Sequence, residues 1–313
     1  MRFPFVLKNE AEFDVIGFGT NAVDYLIQVP EYPAFDSKIE LNDYTQAAGG
    51  EVATTMVGLR RLGRKTTYVG RFGKDAAGDF GMANLREEGV DISFAEQVDG
   101  ARTQIAFIII DQRTGERTVI WKRDEKLGFA EDEIRGEIVK KARVLHFTPH
   151  DTRACIKLAK AAKDDGVIVS IDIDNVFDGI GELLPLVDVL IASSDFPRNF
   201  LGIDDHRSAL AELNSKFGCG IVGITLGSKG SLVLCADEYI VTNGFEVPNG
   251  CKDTTGAGDS FRAGFLNGLL KGNTVEESAR MANAVAALKC REIGARTALP
   301  NPDELRALLT FSN

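Results

Sequence analysis

The sequence is poor in the features that mark secreted and membrane proteins. Its five cysteines are odd in number and widely spaced without a Cys-x-x-Cys pair, and no histidine falls at metal-ligand spacing from them. No stretch reaches the roughly 20 apolar residues of a membrane-spanning helix, and the N-terminus "MRFPFVLKNEAEF" lacks the pattern of a secretory signal. We therefore expect free thiols and a cytoplasmic protein.

Basic charge is also scarce. The chain of 313 residues carries 36 Lys and Arg against 46 Asp and Glu, a net charge of -10. Nonspecific binding to nucleic acid or to an anionic membrane needs a basic face, and basic residues gather only in short clusters such as the one at 60–65. The sequence therefore predicts neither partner, and an anionic ligand would have to be held by local features.

What the sequence does contain is an alternation of short apolar runs and segments of helical periodicity, typical of βα units around a mostly parallel sheet. Each run predicted as a strand is followed by a plausible helix. The six runs are 14–19, 66–72, 142–148, 167–173, 188–193 and 221–227. Length and pattern favour a single α/β domain over residues 1–313 with a small appendage.

Two regions, 25–44 and 103–124, interrupt this alternation and have the pattern of β-ribbons. The second is predicted to be a hairpin around the turn "DQRTGE". The two regions are distant in sequence but could pair as one small sheet. Such a sheet would be a lid over a site, an oligomer surface or a set of edge strands, and the pattern alone leaves all three open.

The stretch "CKDTTGAGDSFRAGF", residues 251–265, has the composition of an anion-binding loop. Gly256 and Gly258 allow a sharp turn. A helix is predicted after them, and its apolar pattern predicts that it is buried. The N-terminus of this helix would direct free amides and a positive dipole end toward the turn. Phosphate is the common occupant of such a place. Asp259 is a poor phosphate ligand, so it is predicted either to accept the proton of an attacking hydroxyl or merely to cap the helix.

The longer motif "DTTGAGDSF" resembles the C-terminal signature of the ribokinase-like (PfkB) family of carbohydrate and nucleoside kinases. The resemblance covers nearly the whole chain, through "GFGTNAVDYLI", "AAGGEVATTMVGLRRLG", "YVGRFGKDAAGDFGMANLREEGVD", "GITLGSKGSLVL" and "ANAVAALKCREIGARTALP". It implies a three-layer αβα sandwich around a mostly parallel sheet. It also implies a small β-sheet lid, formed by about 25–44 and 103–124, that closes over the site and joins two copies in a homodimer.

The resemblance further implies roles for individual residues, although each also has a purely structural interpretation as a turn, strand or helix residue. Asp259 would be the general base, and the amides of Gly256, Ala257 and Gly258 would stabilise the transferring phosphoryl group. The remaining implied contacts are Asn21, Asp24, Gly49, Gly50 and Thr54 for the acceptor, Thr225, Gly227, Gly230 and Asn283 for ATP, and Asp253 and Gly294 for a monovalent cation such as K⁺.

Two segments depart from the family's pattern. Where many members carry an Asn, two residues and a Glu that organise Mg²⁺, this chain reads "SSDF" from residue 193. Mg²⁺ would therefore be held by Asp195 or by a nearby carboxylate such as Asp172 or Asp174. Thr54 replaces the asparagine commonly found four residues after the double glycine, which affects the choice of substrate.

Two further groups of polar residues are weaker candidates. His146 and His150 are predicted to be polar loop or substrate-edge residues, because a proline between them prevents a helical metal pair. Arg117, Lys122 and Arg123 on the second ribbon would either approach a phosphate or a phosphorylated sugar, or form a solvated face.

The sequence thus predicts an ATP-dependent kinase that uses Mg²⁺ and transfers the γ-phosphoryl group to a hydroxymethyl of a small sugar of the ribose, fructose or 2-keto-3-deoxygluconate type. A nucleoside acceptor is the first alternative, in which Tyr25, Phe107 or Trp121 would stack on the base. A non-catalytic sugar- or nucleotide-binding protein is the second. The altered magnesium segment favours it, and the Asp259 loop opposes it because a pure binder has no use for a base.

Overall fold

The computed structural model describes residues 1–311, which form thirteen strands and nine α-helices besides short 3-10 turns. The strands are β1 (Phe13–Phe18), β2 (Ala22–Val29), β3 (Asp43–Gly49), β4 (Thr66–Gly73), β5 (Asp91–Val98), β6 (Ile105–Asp111), β7 (Arg117–Lys122), β8 (Ala142–Phe147), β9 (Ile168–Ile173), β10 (Val189–Ser193), β11 (Ile221–Thr225), β12 (Ser231–Cys235) and β13 (Glu238–Thr242). The helices are α1 (Glu51–Arg61), α2 (Ala76–Glu87), α3 (Thr152–Asp164), α4 (Ile180–Leu183), α5 (Phe196–Leu201), α6 (His206–Phe217), α7 (Ala257–Leu270), α8 (Val275–Lys289) and α9 (Pro302–Phe311).

Nine strands form one large sheet in the order β13-β12-β11-β10-β9-β8-β1-β4-β5. Neighbours from β11 to β5 are parallel, and β12 and β13 add an antiparallel edge. All six predicted strands lie in this sheet, so the prediction of a mostly parallel α/β sheet is confirmed.

Both faces of the large sheet are buried. Successive side chains of a strand point to opposite faces, so each strand contributes to two cores. On β1, Ile16 and Phe18 pack into one apolar core and Val15 into another. Helices α3, α4 and α6 contribute to the first core, and α1, α2 and α7 to the second. This arrangement is the expected three-layer sandwich.

The other four strands form a small sheet in the order β3-β2-β6-β7. β6 and β7 are an antiparallel hairpin, and β2 joins them in parallel with β6, so the two ribbon regions do pair with each other. The first region differs in extent, since β2 begins at Ala22, before the predicted start, and β3 follows only at Asp43. The segment between them contains Pro30 and Pro33, which cannot donate to a strand ladder.

Helix α7 is the long helix predicted to follow the stretch 251–258, which we call the glycine loop. Its Phe265 and Leu266 are buried, and it packs between α1 and α8. Among residues 1–311, no helix combines the length and apolar character that crossing a bilayer would take.

Candidate active site

A cavity of about 980 Å³ lies between the large sheet and the small sheet. The carboxyl ends of β9, β10 and β11 supply Asp172, Ser193 and Thr225 to its wall, and the small sheet supplies Asp24 and Trp121. The carboxyl ends of the strands are where ligands bind in open α/β sheets. The cavity is therefore our candidate active site.

The glycine loop forms one wall of this cavity at the N-terminus of α7. Gly256 caps the helix with a left-handed φ of 76°, and a Cβ there would come within 2.9 Å of the Ala295 side chain. Gly256, Ala257, Gly258 and Asp259 all line the cavity. The predicted helix terminus after the glycines is therefore present, and its free amides face the candidate site.

Asp259 is the third residue of α7, and its carboxyl group is in hydrogen-bond contact with that of Asp172. Burial, together with the negative charge of Asp172, raises the pKa of Asp259 to about 7. Burial also raises the pKa of Asp172, although Arg262 opposes this shift through an ion pair of 2.5 Å between Nη2 and Oδ1. The two carboxyl groups can thus share a proton near neutral pH.

Glu51 is a site residue that sequence reasoning missed. It opens α1, its Oε2 accepts a hydrogen bond of 3.0 Å from Thr20, and it lines the cavity together with Asp174. Burial and the charges of Asp174 and Asp259 raise its pKa. The available signal was a carboxylate directly after a double glycine, in the first turn of a helix.

Asp24 lines the cavity from the small sheet. It is buried, and burial raises its pKa to about 6, partly offset by the charge of Arg296. Gly49 packs against it so closely that a Cβ would overlap the Asp24 carboxylate. Gly50 lines the cavity beside Asp24 with a φ of 90°.

Asn21 and Thr54, also predicted to contact the acceptor, lie behind the cavity wall. Asn21 Nδ2 donates to Tyr68 Oη at 2.7 Å, and Thr54 Oγ1 accepts from Arg296 Nε at 3.3 Å. Arg296 also donates to the Gly49 carbonyl. These residues therefore support the wall instead of forming it.

The four residues predicted to contact ATP, Thr225, Gly227, Gly230 and Asn283, all line the cavity. Asn283 Nδ2 donates to Thr242 Oγ1 at 2.9 Å, so part of its amide is already used to join α8 to β13.

The candidate ion ligands separate clearly in space. Asp195 is exposed, pairs with Arg198 at 3.1 Å and does not line the cavity, whereas Asp172 and Asp174 do. Within residues 1–311, no group of three or more His, Cys, Asp or Glu is arranged to hold a metal by itself. Asp253 is fully buried and accepts from the Gly294 amide at 2.8 Å.

Of the cations on the second ribbon, only Arg117 lines the cavity, where its Nη1 donates to Thr254 Oγ1 at 2.7 Å. Arg123 is held by Asp151 through bonds of 2.9 and 2.8 Å, and Lys122 is an exposed residue on the opposite side of β7.

The two histidines also differ. His146 is buried in β8 beside Ser170, with its pKa lowered to about 3 by burial, so the expectation of a loop or edge residue is wrong for it. His150 does line the cavity, between Trp121 and Phe177. Burial lowers its pKa to about 4, which keeps it neutral.

The pattern of the pfkB family of carbohydrate kinases matches residues 15–302, and the chain belongs to this family. It is 26% identical to an ATP-dependent 6-phosphofructokinase of Thermoanaerobacterium thermosaccharolyticum, over 97% of this chain and 96% of the relative. It is 29% identical to an ATP-dependent ribose-1-phosphate kinase of Halopiger xanaduensis, over 92% and 95%. The structure of Arabidopsis thaliana ribokinase complexed with ribose and ATP is similar, with a TM-score of 0.81, 26% identity and coverage of 96% and 99%.

The protein is therefore an ATP-dependent kinase with a ribokinase-like fold. The alternative of a non-catalytic binding protein is set aside.

Proposed function

We propose that this kinase transfers the γ-phosphoryl group of ATP to a hydroxymethyl of a small sugar, with Asp259 as the general base. The observation that carries the proposal is the position of Asp259, which lies in the first turn of α7 directly after the amides of the glycine loop. Its pKa of about 7 suits a group that must accept a proton near neutral pH.

The lining residues support a division of the cavity wall between the two substrates. ATP would lie toward Thr225 and Asn283, with its terminal phosphate at the loop of Gly256, Ala257 and Gly258. The acceptor would lie toward Asp24, whose carboxylate can accept hydrogen bonds from sugar hydroxyls. Asp259 would then face the hydroxyl to be phosphorylated, and the loop amides would stabilise charge that develops on the phosphoryl group.

The carboxylates of the cavity fit a Mg²⁺ ion that arrives with the nucleotide. Mg²⁺ is commonly held by one or two carboxylates together with phosphate oxygens and waters. Asp172 is already paired with Arg262, so Glu51 and Asp174 would hold the ion. The raised pKa of Glu51, caused by burial and by neighbouring acids, reflects negative charge that a cation would balance. When bound, Mg²⁺ would neutralise phosphate charge.

The small sheet would act as a lid over the acceptor and exclude water from the transfer. Val119 and Trp121 of β7 line the cavity, so Ile120 between them points to the outer face. On that outer face Tyr25 and Phe107 stack with ring centroids 5.3 Å apart, and Phe107 and Ile120 are 43% and 54% exposed. An apolar outer face of this kind favours a homodimer joined through the lids.

A nucleoside acceptor is the second candidate, and one observation favours it. Trp121 and Phe177 flank His150 with centroid distances of 6.2 and 4.9 Å, and all three line the cavity. Such aromatic surfaces can stack on a base. Tyr25 and Phe107, in contrast, stack on each other on the outer face and would not take part.

The test is ADP release from Mg-ATP across ribose, fructose, 2-keto-3-deoxygluconate, fructose 6-phosphate, ribose 1-phosphate and nucleosides. We expect the highest kcat/KM for an unphosphorylated sugar. If the enzyme prefers a phosphorylated sugar and Arg117→Met reduces that preference, the acceptor belongs to that class instead. Among the described lining residues, Arg262 is already paired with Asp172, whereas Arg117 is not paired with a carboxylate and could bind the sugar phosphate. A preference for a nucleoside that Trp121→Ala reduces would establish the second candidate.

A further inference from the structure

Lys289 is a buried cation next to the glycine loop. It is the last residue of α8, and its side chain is fully buried. Its Nζ donates to the backbone carbonyl of Asp253 at 2.7 Å and lies 3.7 Å from Asp253 Oδ2. Burying an ammonium group costs several kcal/mol unless it is paired and hydrogen-bonded, so this placement needs an explanation.

The resemblance predicted a monovalent cation beside Asp253 and Gly294, and the residues present do not fit one. Asp253 Oδ1 accepts from Thr255 N at 2.8 Å and from Thr255 Oγ1 at 2.7 Å, and Oδ2 accepts from Gly294 N at 2.8 Å. The Asp253 carbonyl is taken by Lys289. A second cation here would lie close to the ammonium group in a buried region, where like charges repel strongly.

We propose that the Lys289 ammonium replaces this monovalent cation, so that Lys289 is a positioning residue for the glycine loop and the kinase needs no K⁺. The inference rests on the proposed function of that loop as the phosphoryl-binding site. It removes K⁺ from the cofactors that the sequence predicted.

The contacts explain how Lys289 would act through the loop. Asp253 lies three residues before Gly256, and its carboxylate ties the loop to Gly294, next to Ala295, which packs on Gly256. Lys289, at the end of α8, donates to the backbone carbonyl of Asp253 and pairs with its carboxylate, so it holds Asp253 by two contacts. Without the ammonium, the buried Asp253 carboxylate would lose its ion-pair partner, and the glycine loop would lose a fixed point.

The first test uses the wild-type protein, with turnover measured in K⁺, Na⁺ and tetramethylammonium chloride at equal ionic strength. We expect rates equal within about twofold, since the fixed charge is already part of the chain. A tenfold or greater activation by K⁺ would overturn the proposal.

The second test removes the ammonium with Lys289→Met. We expect kcat in tetramethylammonium to fall about 10- to 100-fold, because small displacements of positioning groups have effects of this size. The acceptor KM should change little, K⁺ or NH₄⁺ should restore part of kcat, and Lys289→Arg should keep more activity than Lys289→Met. A loss that neither cation restores would count against the replacement of an ion.

Lys252→Met is the matched control, because Lys252 lies on the same loop but is half exposed and pairs with Glu292 at 2.8 Å. It should keep the wild-type rate and cation response. Affinity for Mg-ATP, measured by calorimetry in K⁺ and in tetramethylammonium, tests the inference without an acceptor. Wild-type affinity should be the same in both salts, and Lys289→Met affinity should depend on K⁺. If Lys289→Met does not fold, the wild-type salt series and the Lys289→Arg variant still test whether the ammonium replaces the monovalent cation.

Discussion

The Nη2 atom of Arg262 lies 2.5 Å from Oδ1 of Asp172, and both side chains are buried. Arg262 lies three residues after Asp259 on α7, and the ion pair joins this helix to the carboxyl end of β9. Arg262 also donates to the Ile191 carbonyl at 3.1 Å, so its position is fixed from two sides. Its charge lowers the pKa of Asp259, while burial and Asp172 raise it by more. The reactivity proposed for Asp259 thus depends on Arg262 of its own helix and on Asp172, which comes from a distant strand.

Asp259→Asn should abolish turnover and leave Mg-ATP binding intact. The amide keeps the shape of the side chain but cannot accept the hydroxyl proton, and loss of a general base costs about 10²- to 10⁴-fold in rate. ADP release and calorimetry measure the two properties. Asp195→Asn, at an exposed position outside the cavity, should behave as wild type. Near-normal turnover of Asp259→Asn would contradict the assignment of the base.

Activity should fall as the pH drops below about 7. The pKa of Asp259 is raised to about 7, and the base acts only when it is ionised, so kcat/KM rises with pH through this value. Asp172→Asn removes a negative charge that raises the pKa of Asp259 and leaves the charge of Arg262, which lowers it. The acidic limb of the profile, measured with subsaturating substrates, should then move down by about one pH unit. An unmoved limb would assign it to another group.

Asp174→Asn should raise the free Mg²⁺ concentration that gives half-maximal rate by about tenfold, because the side chain would hold the ion directly or through a water. A Mg²⁺ titration at fixed ATP measures this value. Asp195→Asn serves again as the control and should leave the titration unchanged. If Asp195→Asn raised the required Mg²⁺ concentration and Asp174→Asn did not, Asp195 would be the magnesium ligand.

Gly49→Ala should weaken acceptor binding selectively. The added Cβ would overlap the Asp24 carboxylate and push it out of place. We expect the acceptor KM to rise about tenfold or more, the size of losing a hydrogen bond to a charged group, with the KM for ATP little changed. Gly181→Ala is the control, since a Cβ on Gly181 has no heavy atom within 4 Å among the described residues. An equal rise in both KM values would indicate general disruption.

Ile120→Asp should convert a dimer to a monomer in light scattering coupled to size exclusion. Ile120 is 54% exposed on the outer face of the lid, and a charge in the centre of an apolar interface is strongly unfavourable. Val241→Asp places the same charge at a residue that is 57% exposed, on the edge strand of the large sheet. The control should stay dimeric. A monomeric wild type would refute the dimer proposal.

Local patterns in the sequence determined much of this protein. Short apolar runs between segments of helical periodicity identified the parallel strands, and glycines followed by an apolar helical pattern placed Asp259 at a helix terminus, because backbone conformation and helix capping depend on neighbouring residues. The resemblance likewise grouped Gly49 and Gly50 with Asp24 as acceptor contacts.

Tertiary structure alone decided which distant side chains share the cavity. Glu51 and Asp172 come from α1 and β9, and no spacing in the sequence predicts that they meet Asp259 and Arg262 of α7. The same holds for the cation beside Asp253, since the charge of Lys289 can be read from the sequence but its burial cannot. Long-range packing sets burial and proximity, and these two quantities determine the pKa of a carboxyl group and whether an ion site is already filled.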